Sequence, residues 1–552
     1  EVSFEYYDKV GDVHRFRLFS NGYLGEDSRS VEMMISISLE GEAVIYQPDA
    51  AMFIDFNNKN VELEIGQSAS YTGPVVTNKP ITFKAWNAVL SGPIVSSNNI
   101  SIDVTVTTKN SGNKPNAVFI TSGNVIMNNP NTLHAVILKG NGKVLYNKTW
   151  STGTIDYLLV PNNVTTYQEV VSNATLNVKN LIFYNPVNFD PYEANLVNAS
   201  GTKVNNEAIF GPKPAENSLD IDYRKYFKED FILDNLYDDE GKQNEVLPKV
   251  VLPNKPSYDT YYPSGDLKKG TMGLVNDNND FSVSFNYNNR GALYDLTELG
   301  AVSSNGTLYR SFNSMKISGS SGASEATKLY VGNQNIVLVT KSLEINNIIE
   351  IIGTGSLTIY VIGDGVNPIN ANQLKLNPVA VFTRNCDDVT KDECKIENRT
   401  RDYSKLQLIV YETKGTNGKG LYYNSGTWGL EAHLSIYSEN LNLNASGSGQ
   451  FNGIFVSAER TDVSVSGGTS TSSRLIFGPN AKISVSGGAK LSGVIVGKEY
   501  NISGGVSVSF SSEFEESFVE SILPNFIVPG GQSGSNNLKG SMQKGFIREV
   551  DK

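Results

Sequence analysis

The sequence predicts an all-β chain whose body is a right-handed parallel β-helix, a solenoid of short strands stacked coil upon coil. Three observations predict it: a recurring repeat of about 20 residues, turn glycines in matching places within that repeat, and apolar runs of strand length. Ser-Gly pairs at 446–447, 466–467, 486–487 and 503–504 place glycines 20, 20 and 17 residues apart. Between them, GSGQFNGIFVSAERTDVSVS, GGTSTSSRLIFGPNAKISVS and GGAKLSGVIVGKEYNIS share one grammar. A turn leads to an apolar strand (IFV, LIF, VIV), and a polar turn leads to an alternating strand (VSVS, ISVS, NIS).

The same grammar occurs earlier. GPVVTNKPITFK at 73–84 returns as GPIVSSNNISID at 92–103, a repeat of 19. AVFITSGNVIMNN at 117–129 returns as AVILKGNGKVLYN at 135–147, a repeat of 18. Looser copies lie at 157–167 and 174–186, and the pattern resumes at 335–347 and 355–364. A single coil cannot bury its own apolar side. Stacking coils ~4.8 Å apart pairs each strand with its counterpart and lines Val, Ile, Leu and Phe into a narrow core. An antiparallel sandwich also has short, evenly spaced strands, but it does not require one coil to resemble the next.

Composition agrees. Hydrophobic residues are 39% and charged residues 19% of the 552. The net charge is -11 without a basic block, which argues against a nucleic-acid partner or an anionic membrane surface. No apolar run reaches the 18 residues of a membrane-spanning helix.

Five segments follow. Residues 1–65 read as an N-terminal β hairpin or cap, with alternation in VEMMISIS. Residues 66–186 form a first run of coils. Residues 187–325 read as an insertion, with a helix-compatible stretch at 222–240 and a Pro-rich connector at 247–263. Residues 326–512 form a second run of coils. Residues 513–552 read as a C-terminal extension, in which EFEESFVESILPNFIVP suits a short helix followed by an extended strand and the remainder reads as a flexible tail, with strand addition to a neighbouring subunit as the lesser reading. Removing 187–325 is expected to leave a folded β-rich body.

The order GSLTIYVIGD (355–364), LQLIVYE (406–412), FNGIFVSAERTDVSVSGG (451–468) and LSGVIVGKEYNISGGVSVSF (491–510) resembles the C-terminal region of PilX-type pilus assembly proteins. HRFRLFSNGYLGEDSRSVEMMISI resembles the hairpin that precedes those coils in the family. The resemblance covers about half the chain. It implies an exported, pilus-associated or minor-pilin-like surface protein. Its partners would be other subunits of a surface filament, including copies of itself, or host and cell-surface glycans. A pilin would open with an apolar helix, which EVSFEYY at Glu1–Tyr7 does not provide, so the expectation is either a removed helix or a different mode of assembly.

The function expected is therefore structural or adhesive, extracellular and without catalysis. The alternative is a secreted carbohydrate-binding or carbohydrate-active β-helix. Catalysis would need carboxylates in register on adjacent coils. Glu459, Asp462, Glu499 and Asp103 show no such register in the sequence. Cys386 and Cys394, the only cysteines, sit in a polar loop where a disulfide is expected in an oxidising compartment. Asp238, Asp239 and Glu240, with Asp277 and Asp280, are the weak candidates for calcium, the one cofactor considered. A solvated loop is the favoured reading for both groups. Sequons at Asn99, Asn147, Asn163, Asn173, Asn198, Asn305, Asn398, Asn444 and Asn501 permit glycosylation. Tyr258, Tyr261 and Tyr262 read equally as platforms for sugars or partner proteins and as covers of coil edges, while for Tyr422 and Tyr423 near Trp428 the cover is the favoured reading.

Overall fold

The structure is a computed structural model. It describes residues 2–10, 13–24, 27–39, 51–53, 63–65, 70–509 with gaps, 527–528 and 540–550. The gaps are 85, 111–114, 165, 174, 188, 216–220, 228–248, 251, 254, 262–273, 285–292, 300, 303–305, 320–325, 366, 387–394, 396–397, 401, 414–421, 426–430, 447–449, 468–469 and 472–474. The chain divides into two compact units, one of residues 1–46, 244–248 and 529–552, the other of 47–243 and 249–528.

The smaller unit is an antiparallel sheet in the order Val2–Val10, Val13–Leu24, Asp27–Leu39 and Gly540–Val550. The hairpin expected within 14–40 is present, with Phe16 opposite Ile35 and Leu18 opposite Met33. The flexible-tail reading of the C-terminus is corrected. Gly540–Val550 is a strand of this chain's own sheet, with Met542 opposite Ile37 and Ile547 opposite Met33. Its weak alternation suffices once the hairpin offers an edge to pair with.

The larger unit is mostly strand with a few helical turns, and its main sheets pair in parallel. That pairing excludes the antiparallel sandwich. Matched residues recur one repeat on. Leu63, Ile81, Ile100, Val125 and Val144 stand in register, all buried, and Leu443, Val463, Ile483 and Tyr500 do likewise. Each such side chain contributes roughly 1.5–3 kcal/mol on burial. The repeat of 18 read between 117–129 and 135–147 is 17 on one face (Val118 beside Ala135) and 19 on the next (Val125 beside Val144). The turn 139–143 holds two more residues than 122–124 and absorbs the difference.

The order of strands is not the order of the chain. One face runs Leu308–Phe312, Asn335–Thr340, Ser356–Val361, Leu406–Val410, Ser435–Ser438, Ile454–Ser457, Leu475–Phe477 and Val494–Gly497. It continues without a break into Ala51–Phe53, Val75–Thr77, Ala88–Ser96, Ala117–Thr121, Thr132–Leu138, Gly153–Pro161 and Leu176–Tyr184. Two further ladders make the same junction, Ile502 beside Ile65 and Ser507–Ser509 beside Ser70–Thr72. The strands of 308–497 therefore stack in front of those of 51–184, and the chain enters and leaves the stack at neighbouring layers. Buried Tyr71 and Tyr500 lie close to each other at this junction.

The coil boundaries shift accordingly. Parallel pairing begins at Ala51–Phe53, inside the segment read as a cap, and at Asp280–Ser284, inside the segment read as an insertion. Of the helix-compatible stretch 222–240, Tyr223–Phe227 is a 3-10 turn and 228–240 lies outside the described residues.

Candidate functional site

Residues 185–307 join opposite ends of the stack, and their described contacts follow its length in order. Phe189 packs on Tyr184 (ring centroids 4.7 Å apart), and His134 Nε2 lies 3.4 Å from the Ile209 carbonyl oxygen. Ile221 lies beside Gly92, where an added Cβ would meet it at 3.3 Å. Lys249–Val250 pairs antiparallel with Ile527–Val528. Tyr411 donates its hydroxyl to the Pro253 carbonyl (2.9 Å), Tyr258 donates to Asn313 Oδ1 (2.9 Å), and Tyr261 stacks on Tyr309 at 4.7 Å and 12°. This segment is a strap laid along one face. Beneath it the outward residues Val76, Val95, Ile120, Ile137, Leu159 and Ile182 are buried, though they lie outside the interior core. An apolar outer ladder needs a cover, and the strap supplies one.

Tyr258 and Tyr261 therefore anchor the strap, and their rings are engaged with Lys341 and Tyr309. Tyr262 and Trp428 lie outside the described residues, as do the side chains of Tyr422 and Tyr423.

Beside the strap, Glu412, Glu439 and Glu459 follow successive strands of one face. Glu439 N donates to Val410 O (3.1 Å), and Glu459 N donates to Glu439 O. Burial pushes the half-buried Glu439 carboxyl up, Glu412 and Glu459 add to this, and Lys255 of the strap opposes them. The sequence shows no pair of carboxylates that spacing places on one face of adjacent coils. That reading is corrected, because coils of unequal length hid the register.

Two buried ionic groups hold irregular segments. Glu350 is fully buried and takes Arg384 Nε at 3.0 Å and Arg399 Nε at 2.7 Å. Arg399 also lies 4.5 Å over Phe382. Buried Asp156 bridges the half-exposed Lys109 and Lys179. Desolvation raises the Asp156 carboxyl, but hydrogen bonds from the two lysines outweigh it and hold the group below its ordinary value. Neighbouring His134 is lowered, chiefly by desolvation.

Cys386 is buried and disulfide-bonded, and Cys394 lies outside the described residues. Asp238, Asp239 and Glu240 also lie outside them. Asp277 is exposed. Asp280 Oδ2 accepts from Asn276 Nδ2 (3.1 Å) and Asp280 Oδ1 accepts from Ser314 Oγ (2.7 Å), in a turn closed by Asn276. Among the described residues no group of three or more His, Cys, Asp or Glu could hold a metal ion. Of the sequons, Asn147, Asn163, Asn398 and Asn501 are exposed, while Asn99, Asn173, Asn198 and Asn444 are half-buried. Asn173 Nδ2 donates to Tyr146 O and Lys148 O, and Asn198 Nδ2 donates to Asn180 Oδ1, so a glycan there would displace structural hydrogen bonds. Asn305 lies outside the described residues.

Sequence reasoning also missed Trp86 and Trp150, which are 64% and 74% exposed. Tryptophan is ordinarily well buried, and two isolated rings in turns carry no periodic signal. No family model matches the chain, and neither a curated protein nor a solved structure does.

Proposed function

We propose that the larger unit is a right-handed parallel β-helix and that the protein is an extracellular structural or adhesive component, pilus-associated or itself a filament subunit. The observation that carries this reading is the unbroken stack. Three ladders cross the layer where the last coil meets the first, and a strap ties the two ends together. Parallel crossovers of this kind are right-handed in nearly all proteins. The result is a stiff spacer of about 67 Å, from strands ~4.8 Å apart.

Among the described residues, the outermost strand of this face carries a short antiparallel neighbour at each end. Ala301–Val302 runs antiparallel to Leu308–Tyr309, and Asn198–Ala199 meets the edge of Leu176–Tyr184. Covered ends resist strand-to-strand growth. Assembly into a filament would therefore use the smaller unit or the sides of the stack.

The test is electron microscopy of material sheared from the native cell surface, with antibody against this chain. Regular labelling along filaments is the expected result, and labelling at tips or on the envelope makes it an accessory adhesin. Absence from the surface overturns the reading. A second reading, a carbohydrate-binding surface, is favoured by the exposed Trp86 and Trp150.

A further inference from the structure

Lys84, Asp103, Asn128 and Asn147 occupy one corner of the stack in successive layers. Their backbone N–H groups donate to Ile65, Phe83, Ile102 and Met127 in turn, at 2.9–3.0 Å. Trp86 follows the first of these residues and Trp150 the last, so the two indoles belong to one corner, three layers apart. At ~4.8 Å per layer that is about 14 Å along the stack.

What lies between them is polar. Asn128 Nδ2 donates to Asp103 Oδ1 (2.6 Å), and Asn147 Nδ2 donates to Asn128 Oδ1 (2.6 Å). Thr105 and Thr149 are exposed on the same corner. Lys148 lies over the Trp150 ring at 5.6 Å, which leaves the opposite indole face for another group.

We propose that this corner is a binding ridge for a neutral polysaccharide chain. The proposal deepens the carbohydrate-binding reading and does not depend on the protein being part of a filament. A pyranose presents an apolar C–H face, which stacks on an exposed indole, and a rim of hydroxyls, which pairs with amides and carboxylates. Two indoles with an Asp/Asn ladder between them match that alternation along an extended chain, with a reach suited to several linked sugars. A protein partner would call for a contiguous apolar centre depleted in charge. A bilayer surface would call for a cluster of basic residues around the rings, whereas Lys84 is paired with Glu64 and Lys148 lies over the Trp150 ring. The corner has a carboxylate at its middle and the chain carries a net charge of -11, so neutral glycans are selected over acidic ones.

The probes are hydroxyethyl cellulose, galactomannan and xylan, each cast into a native gel, with hyaluronate as the acidic control. The full chain is expected to be retarded by at least one neutral polymer and not by hyaluronate. Trp86→Ala and Trp150→Ala should each weaken retardation about tenfold, the equivalent of ~1.4 kcal/mol, and Trp86→Phe should recover part of it. Both side chains are exposed, so thermal melts of the variants should match the parent. Recovery by Phe separates ring stacking from a folding defect if an alanine variant proves unstable. Failure of every neutral polymer to retard the parent, or equal retardation of the alanine variants, overturns the ridge. So does sedimentation velocity showing self-association that the alanine substitutions abolish, since the occupant would then be a second copy. None of these outcomes bears on surface labelling in microscopy, so the ridge and the filament reading fail separately.

Discussion

Glu350 illustrates how one side chain holds an irregular segment to a regular stack. Its carboxylate is fully buried and engages Arg384 and Arg399. Removing one member of a buried ionic group strands the others, at a cost of about 3–5 kcal/mol. Glu350→Ala should therefore lower the thermal midpoint markedly, with Glu350→Gln losing less because it keeps acceptor and donor groups. His134 makes a pH-dependent contribution. Its folded-state pKa lies below the ordinary value, so the unfolded chain binds the proton more readily. The stability linked to this histidine is fully present above about pH 6.5 and is lost as pH falls through the folded pKa. Melting at pH 7.5 and 5.5 should show the parent weakened in acid and His134→Gln weakened less. An unchanged difference would remove His134 from the account.

The strap is the element on which the sequence reading fails most instructively. An insertion between two runs of coils is expected to be removable. The structure assigns it two tasks that forbid this. It spans the stack from Tyr184 to Tyr309, and the segment 187–325 itself contributes the layers Asp280–Ser284, Leu308–Phe312 and Ser314–Ser318. It also covers outward apolar residues such as Ile120 and Ile137. Deleting 187–325 with a short linker should abolish cooperative folding, as read by circular dichroism and a thermal melt. A soluble, cooperatively melting deletion variant would contradict both tasks.

At the scale of the whole molecule, the stack order makes a strong prediction. A chain that begins at Leu274, runs to Ser509, and is then linked to Ala51 and continues to Tyr261 follows the stack from end to end. Such a permutant, lacking residues 1–50 and 510–552, should fold into a β-rich body with a cooperative melt. It relocates the break to 262–273 and leaves the ladders at Val496–Met52, Ile502–Ile65 and Ser507–Ser70 intact. Aggregation of the permutant beside a folded parent would mean that the two runs do not stack in this order.

Spacing and alternation alone determined the strand content, the recurring strands at 73–147 and 446–510, and the hairpin within 14–40. Those features are local, because alternation dictates which face of a strand is buried and glycine spacing dictates where a coil turns. Tertiary structure decided what depends on pairing between distant segments. Val496 meeting Met52, Ile547 meeting Met33 and Tyr261 meeting Tyr309 join residues that no local period relates. It also decided the candidate sites. Glu412, Glu439 and Glu459 share a face, and Trp86 and Trp150 share a corner, only because turns of unequal length are absorbed between strands in register. A repeat read by counting residues cannot see that register, since hydrogen-bonded layers, not sequence intervals, set which side chains become neighbours.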